Sequence, residues 1–99
     1  GLMEASAIKM KLGGFTPPRP LTHDLLINTI VGLNANLEYV LIDKLQQNTF
    51  HAKLYLRYDG KQKIIDARPS DSIALAVRAK VPIFVEEDVL KQSGSLEEK

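Results

Sequence analysis

The sequence predicts a small α+β domain in which a mixed, mainly antiparallel sheet, built as a β-meander, packs with about three helices. Three observations carry that expectation. Residues 49–58, TFHAKLYLRY, alternate almost perfectly: Phe50, Ala52, Leu54, Leu56 and Tyr58 fall on one side and His51, Lys53, Tyr55 and Arg57 on the other, the period of a half-buried strand. Asp59-Gly60 follows at once, and Asp-Gly between two extended runs signals a two-residue hairpin turn. Runs with apolar residues at helical spacing flank this extended region.

In chain order, residues 3–12 (MEASAIKMKL) place Ala5, Ile8 and Leu12 on one helical face, and GGFTPP ends that helix with glycine and proline. A second helix is expected from Thr22, which can cap it, with Leu26, Ile30 and Leu33 on one face and Asp24 in the first turn, where a negative charge suits the helix dipole. It stops between Gly32 and Asn36. LEYVLIDKL, TFHAKLYLRY and KQKIIDA then form the meander, joined through QQN and DG. The third helix starts at Ser70 or Asp71 and runs to about Lys80; Pro82 opens a last strand, PIFVEE, and DVLK adds a turn. The domain is expected over residues 1–90, with residues 91–99 as a polar, flexible tail.

The Asp-Gly turn fixes a register in which Tyr58 faces Lys61, Leu54 faces Ile65, Lys53 faces Asp66 and His51 faces Arg68. The outward side so defined also takes Val40, Ile42, Tyr55 and Ile64, more apolar surface than a sheet leaves in water. A helix or a second subunit must cover it; a second subunit over at least part of it is the expectation, hence a homo-oligomer, with a dimer favoured.

Composition limits the functional classes. A chain of 99 residues, 44% hydrophobic and 25% charged, suits one domain with one core. It has no cysteine, which removes disulfides and thiolate metal sites and gives no reason for an oxidising compartment, so a cytoplasmic setting is expected. No apolar run reaches the about 18 residues of a membrane span. The formal net charge of +1 lacks the strong basic excess of a dedicated nucleic-acid binder, although basic residues outnumber acidic ones between Lys44 and Lys80. No phosphate loop, dinucleotide fingerprint or nucleophile elbow is present, and the two histidines have no metal-ligand spacing, so zinc is not supported.

A weak internal echo singles out two helix starts. RPLTHDLLINTI and RPSDSIALAV both put Arg-Pro, then a hydroxyl residue and an Asp, ahead of an apolar helix. Proline sets the entry angle, the hydroxyl can cap, and the acid sits at the positive helix end. Capping needs no arginine, so Arg19 and Arg68 each require a partner, either a structural carboxylate or a ligand anion.

EASAI, RPLTHDLL, TFHAKL and above all IDARPSDSIALAVRAKVPIFV resemble the bifunctional nuclease domain family of bacteria and plants, over roughly residues 1–90 and in the same order. The resemblance implies hydrolase activity of both DNase and RNase type. It also implies strand-forming segments ahead of EASAI that this chain lacks.

A nuclease must stabilise a pentacoordinate phosphate and activate water, typically with carboxylate-bound Mg²⁺ or Mn²⁺, a general base and cationic phosphate partners. The residue types that could do so here are His23, Asp24, Asp66 and Asp71 as catalytic groups, with Asp66, Asp71, Asp24 and Glu4 as metal ligands. Arg19, Arg68, Ser70 and Lys53 would bind the substrate. Plainer roles compete: Asp24 and Asp71 as acids at helix starts, Thr22 and Ser70 as caps, Asp66 as the cross-strand partner of Lys53. Metal and phosphate are expected together at Ser70–Asp71, because Asp71 would repel a bare phosphate, with Arg19, His23 and Asp24 as a second wall if the two helix starts converge. The expected activity is hydrolysis of DNA and RNA with little base selectivity; the rival is a non-catalytic module that binds a small anionic ligand or a protein partner.

Overall fold

The computed structural model of the chain describes residues 18–97. Its elements are α1 (Thr22–Gly32), β1 (Ala35–Gln46), β2 (Thr49–Tyr58), β3 (Lys61–Ala67), α2 (Pro69–Ala79), β4 (Ile83–Val85) and α3 (Glu87–Glu97). The helix expected over residues 3–12 lies outside the described residues. Sheet order is β3-β2-β1-β4; the β1–β2 and β2–β3 pairs are antiparallel and β4 runs parallel to β1. The architecture is α+β with a mixed sheet.

Both hairpins turn through left-handed residue pairs, Gln47-Asn48 (φ 52° and 61°) and Asp59-Gly60 (φ 52° and 73°). Positive φ at both central positions gives a turn whose twist matches the flanking strands. The Asp-Gly register is as expected: Tyr58 pairs with Lys61, Leu54 with Ile65 and Lys53 with Asp66. The ladder ends at Ala52–Ala67, before a His51–Arg68 pair could form.

The β1–β2 register departs from simple alternation. Starting from the Gln46–Thr49 pair, it shifts between Ile42 and Lys44 and again between Leu37 and Tyr39. Unshifted pairing would set Val40 opposite Tyr55. The irregularity around Asp43 instead sets Val40 opposite Leu54 and Ile42 opposite Ala52, and Tyr39 takes the place beside Tyr55. An extra residue flips every side chain beyond it to the other face. Val40 is therefore fully buried in the core, and the outward face carries Tyr39, Leu41, Tyr55 and Ile64 rather than the expected Val40 and Ile42 with Tyr55 and Ile64.

Leu37, Val40, Leu54, Leu75 and Ala76 form the core, and Ile27, Leu56, Ala67, Ala79 and Val81 pack around it. This places α1 and α2 together on one sheet face. Leu75, 1% exposed, contributes about 1.5–3 kcal/mol by burial alone.

Neither expected hydroxyl cap is used. Thr22 is the first helical residue of α1; the capping position is Leu21, whose N–H donates to Asp24 Oδ2 at 2.9 Å. Leucine offers no acceptor, so the acid reaching back from the third helical position ties down the helix entry instead. In α2 the capping position is Arg68 and Pro69 is the first helical residue, where its missing N–H costs nothing. That pushes Ser70 inside the helix. α2 ends on Lys80 in the left-handed region, φ 58°. β4 is shorter than PIFVEE suggested, and after Glu86 the chain forms α3 where a single turn was expected. Among the described residues no helix is long and apolar enough to cross a membrane.

Candidate active site

The two helix starts converge. His23, one residue into α1, is 5% exposed, and its Nε2 lies 2.9 Å from Asp71 Oδ1 in the first turn of α2. An ionised carboxylate only accepts, so Nε2 carries a proton, and in the neutral ring Nδ1 is left as the acceptor. Nδ1 is buried and has no hydrogen-bond partner among the described residues. Arg68 approaches the same carboxylate from the helix entry, with Nε 2.8 Å from Oδ2 and a terminal nitrogen 3.3 Å from Oδ1. The Arg68 bonds hold the Asp71 carboxyl below the usual carboxylate range; partial burial opposes them and His23 adds to them.

A second ion pair crosses the helix pair. Asp24 Oδ1 accepts from Arg78 Nε at 2.7 Å, and Arg78 also donates to the Ala74 carbonyl at 3.0 Å. The Arg78 side chain is 3% exposed. Sequence reading placed Asp24 and missed Arg78. The available signal was spacing: Arg78 lies three residues after Leu75 and four after Ala74, on the face of α2 that buries both.

The remaining expected residues divide. Ser70 sits half-buried in the first turn of α2 beside Asp71, and Arg19 is exposed just ahead of α1. Glu4 lies outside the described residues. Asp66 and Lys53 do not join the cluster: strand alternation puts them with Tyr55 on the sheet face opposite the helices. There Lys53 Nζ lies 3.1 Å from Asp66 and 3.2 Å from Asp43. Its pKa is raised chiefly by the Asp66 bond, with burial opposing and Asp43 reinforcing. The Asp66 side chain is 76% exposed, so Asp66→Ala is expected to change unfolding stability by less than about 1 kcal/mol; chemical denaturation checks this, and a larger loss would give Asp66 a structural role that its exposure does not suggest.

The fold and its helix-mouth cluster define a small α+β domain that gathers a histidine, an acid and an arginine where two helices begin. The chain belongs to the bifunctional nuclease domain family, whose family model matches residues 1–98. It is 50% identical over 96 residues to an uncharacterized protein of Mycobacterium tuberculosis, covering 97% of this chain and 57% of that protein. It is 28% identical over 80 residues to "Bifunctional nuclease 1" of Oryza sativa subsp. japonica, covering 78% of this chain and 24% of that protein. The same identity and coverage hold for "Bifunctional nuclease" of Oryza minuta. The chain thus spans little more than half the length of the mycobacterial relative.

Proposed function

We propose that this chain is a nuclease domain that hydrolyses phosphodiester bonds of DNA and RNA with little base selectivity, and that the reaction takes place where α1 and α2 begin. The observation that carries the proposal is the bond between His23 of one helix start and Asp71 of the other, with Arg68 on the same carboxylate; family membership supplies the reaction class. Arg68 is the phosphate partner. It is the exposed member of the cluster, and a guanidinium binds phosphate with the same fork that it presents to a carboxylate. The first-turn N–H groups of Ser70 and Asp71 point the same way, because Ser72 N–H is the donor that closes the turn onto the Arg68 carbonyl. Asp71 fixes the His23 ring, and Nδ1 is the atom that takes a proton from the attacking water once water is admitted to it.

Assistance by Mg²⁺ or Mn²⁺ belongs to the same proposal, but the described side chains do not fit a cation cage. Asp71 holds His23 and Arg68, Asp24 holds Leu21 N–H and Arg78, and no group of three His, Asp or Glu residues converges among the described residues. No step is therefore assigned to a cation.

The pairing of both acids also suits the rival reading, a non-catalytic module for an anionic ligand or a protein partner, because a purely structural network would look the same. Turnover separates the two. Purified protein is assayed on DNA and RNA with Mg²⁺, with Mn²⁺ and with chelator, beside His23→Ala, Asp71→Ala and the control Asp66→Ala, each checked for folding by circular dichroism. The nuclease reading expects loss in the first two variants and activity close to wild type in the third. Activity that survives both losses, or that leaves the protein on further purification, ends it.

A further inference from the structure

We infer that β3 pairs antiparallel with β3 of a second copy about a two-fold axis at Ile64, joining the sheets of the two copies into one. The inference is independent of the proposed nuclease site, which lies at the helix starts. Among the described residues β3 is an outer strand of the sheet, and every residue from Lys61 to Asp66 on it is exposed. It carries no proline and no bulge in its pairing with β2, two of the devices that blunt a free edge. Ile64 and Ile65, 52% and 46% exposed, put apolar side chains on both faces of that edge.

The hairpin settles which backbone groups are on offer. In a two-residue turn Tyr58 and Lys61 form the closing hydrogen-bonded pair, and bonded and non-bonded pairs then alternate. Lys63, Ile65 and Ala67 therefore bond to β2, while Gln62, Ile64 and Asp66 turn their N–H and C=O groups away from it. A two-fold at Ile64 uses all of these: Ile64 meets Ile64 of the partner copy, and Gln62 meets Asp66. It also sets Lys63 opposite Ile65 and Lys61 opposite Ala67, so no charge faces its like. Moving the axis to Lys63 opposes two lysines and leaves Asp66 without a partner strand; moving it to Ile65 leaves Gln62 without one.

The outer face supports the same partner. Tyr39, Tyr55 and Ile64 are successive cross-strand neighbours, the two tyrosine rings stack at 4.4 Å, and Phe84 meets Tyr39 edge-on at 5.5 Å. Joining at Ile64 continues this apolar row without a break into the second copy. The charged groups beside the row, Glu38, Asp43 and Asp66 against Lys44, Lys53 and Arg57, balance one another, which leaves no basic excess there for a nucleic-acid backbone and suits a protein surface.

The chain contains no cysteine, which makes the geometry directly testable. In the inferred dimer position 64 faces itself with Cα atoms about 5.5 Å apart, inside the usual disulfide span of about 4.4–6.8 Å. Oxidised Ile64→Cys is expected to become a disulfide-linked dimer, and Gln62→Cys, which faces position 66, is expected to stay unlinked. Sedimentation should give a dimer for the wild type and half that mass for Ile64→Pro, a change that breaks no bond to β2. A monomeric wild type, a dimer that persists in folded Ile64→Pro, or equal cross-linking at positions 62 and 64 would overturn the inference.

Discussion

Arg78→Ala is expected to destabilise the domain by about 3–5 kcal/mol, the cost of removing one partner from a buried ion pair. The guanidinium is 3% exposed, and the Asp24 side chain that it meets at 2.7 Å is 18% exposed. The bond joins the last turn of α2 to the first turn of α1 across a separation of 54 residues, so it fixes how the helices lie against one another. Asp24 also secures the entry to α1 through Leu21 N–H, and the truncation disturbs that end too. A small domain has only about 5–15 kcal/mol of total stability, so the expected loss is a large share of it. Urea unfolding of Arg78→Ala, Asp24→Ala and the double variant measures the coupling; additive losses, or a single loss below about 1 kcal/mol, would show that the pair does not hold the helices.

Asp71→Asn is expected to lower nuclease turnover by roughly 10²–10⁴-fold, the usual contribution of a positioned general base, because Asp71 holds His23 in place for that role, and to change how stability depends on pH. Asparagine keeps the size of the side chain but loses the charge that binds Arg68 and orients the Nε2–H of His23. The folded Asp71 pKa is depressed, chiefly by the Arg68 bonds. Its contribution to stability is therefore complete above the unfolded carboxylate pKa of about 3.9 and is lost as pH falls through the lower folded value. The wild type should lose that part of its stability in acid, and Asp71→Asn, less stable at neutral pH, should show a shallower acid decline. Unfolding curves from neutral to acidic pH test the second claim without reference to activity. Parallel pH profiles for the two proteins would contradict it, and unchanged turnover in Asp71→Asn would remove Asp71 from the proposed chemistry.

Local chemistry determined much of the fold on its own. Strict alternation over residues 49–58 and the Asp-Gly turn were enough to give the Leu54–Ile65 and Lys53–Asp66 pairs, because a two-residue hairpin links register to residues adjacent in sequence. The repeated Arg-Pro and Asp signatures marked both helix starts for the same reason. The candidate site was legible as a set of residue types at those starts, and the joining of His23 to Asp71 came from packing. Asp66 was legible as the cross-strand partner of Lys53, and the same strand alternation turns its side chain to the face opposite the helices.

The tertiary structure decided the rest through contacts that have no local sequence signature. The irregularity at Asp43 is fixed by what β1 must bury beneath two helices, and it moved Val40 and Ile42 from the outer face to the core side. The Arg78–Asp24 bond depends on the packing of α1 against α2, which residue spacing within either helix cannot specify. Sequence by itself set α1, α2, the three-strand meander, the Asp-Gly register and the chemistry available at the helix starts; the assembled fold chose which charges meet and which face is buried, because those choices follow from packing over long separations rather than from neighbouring residues.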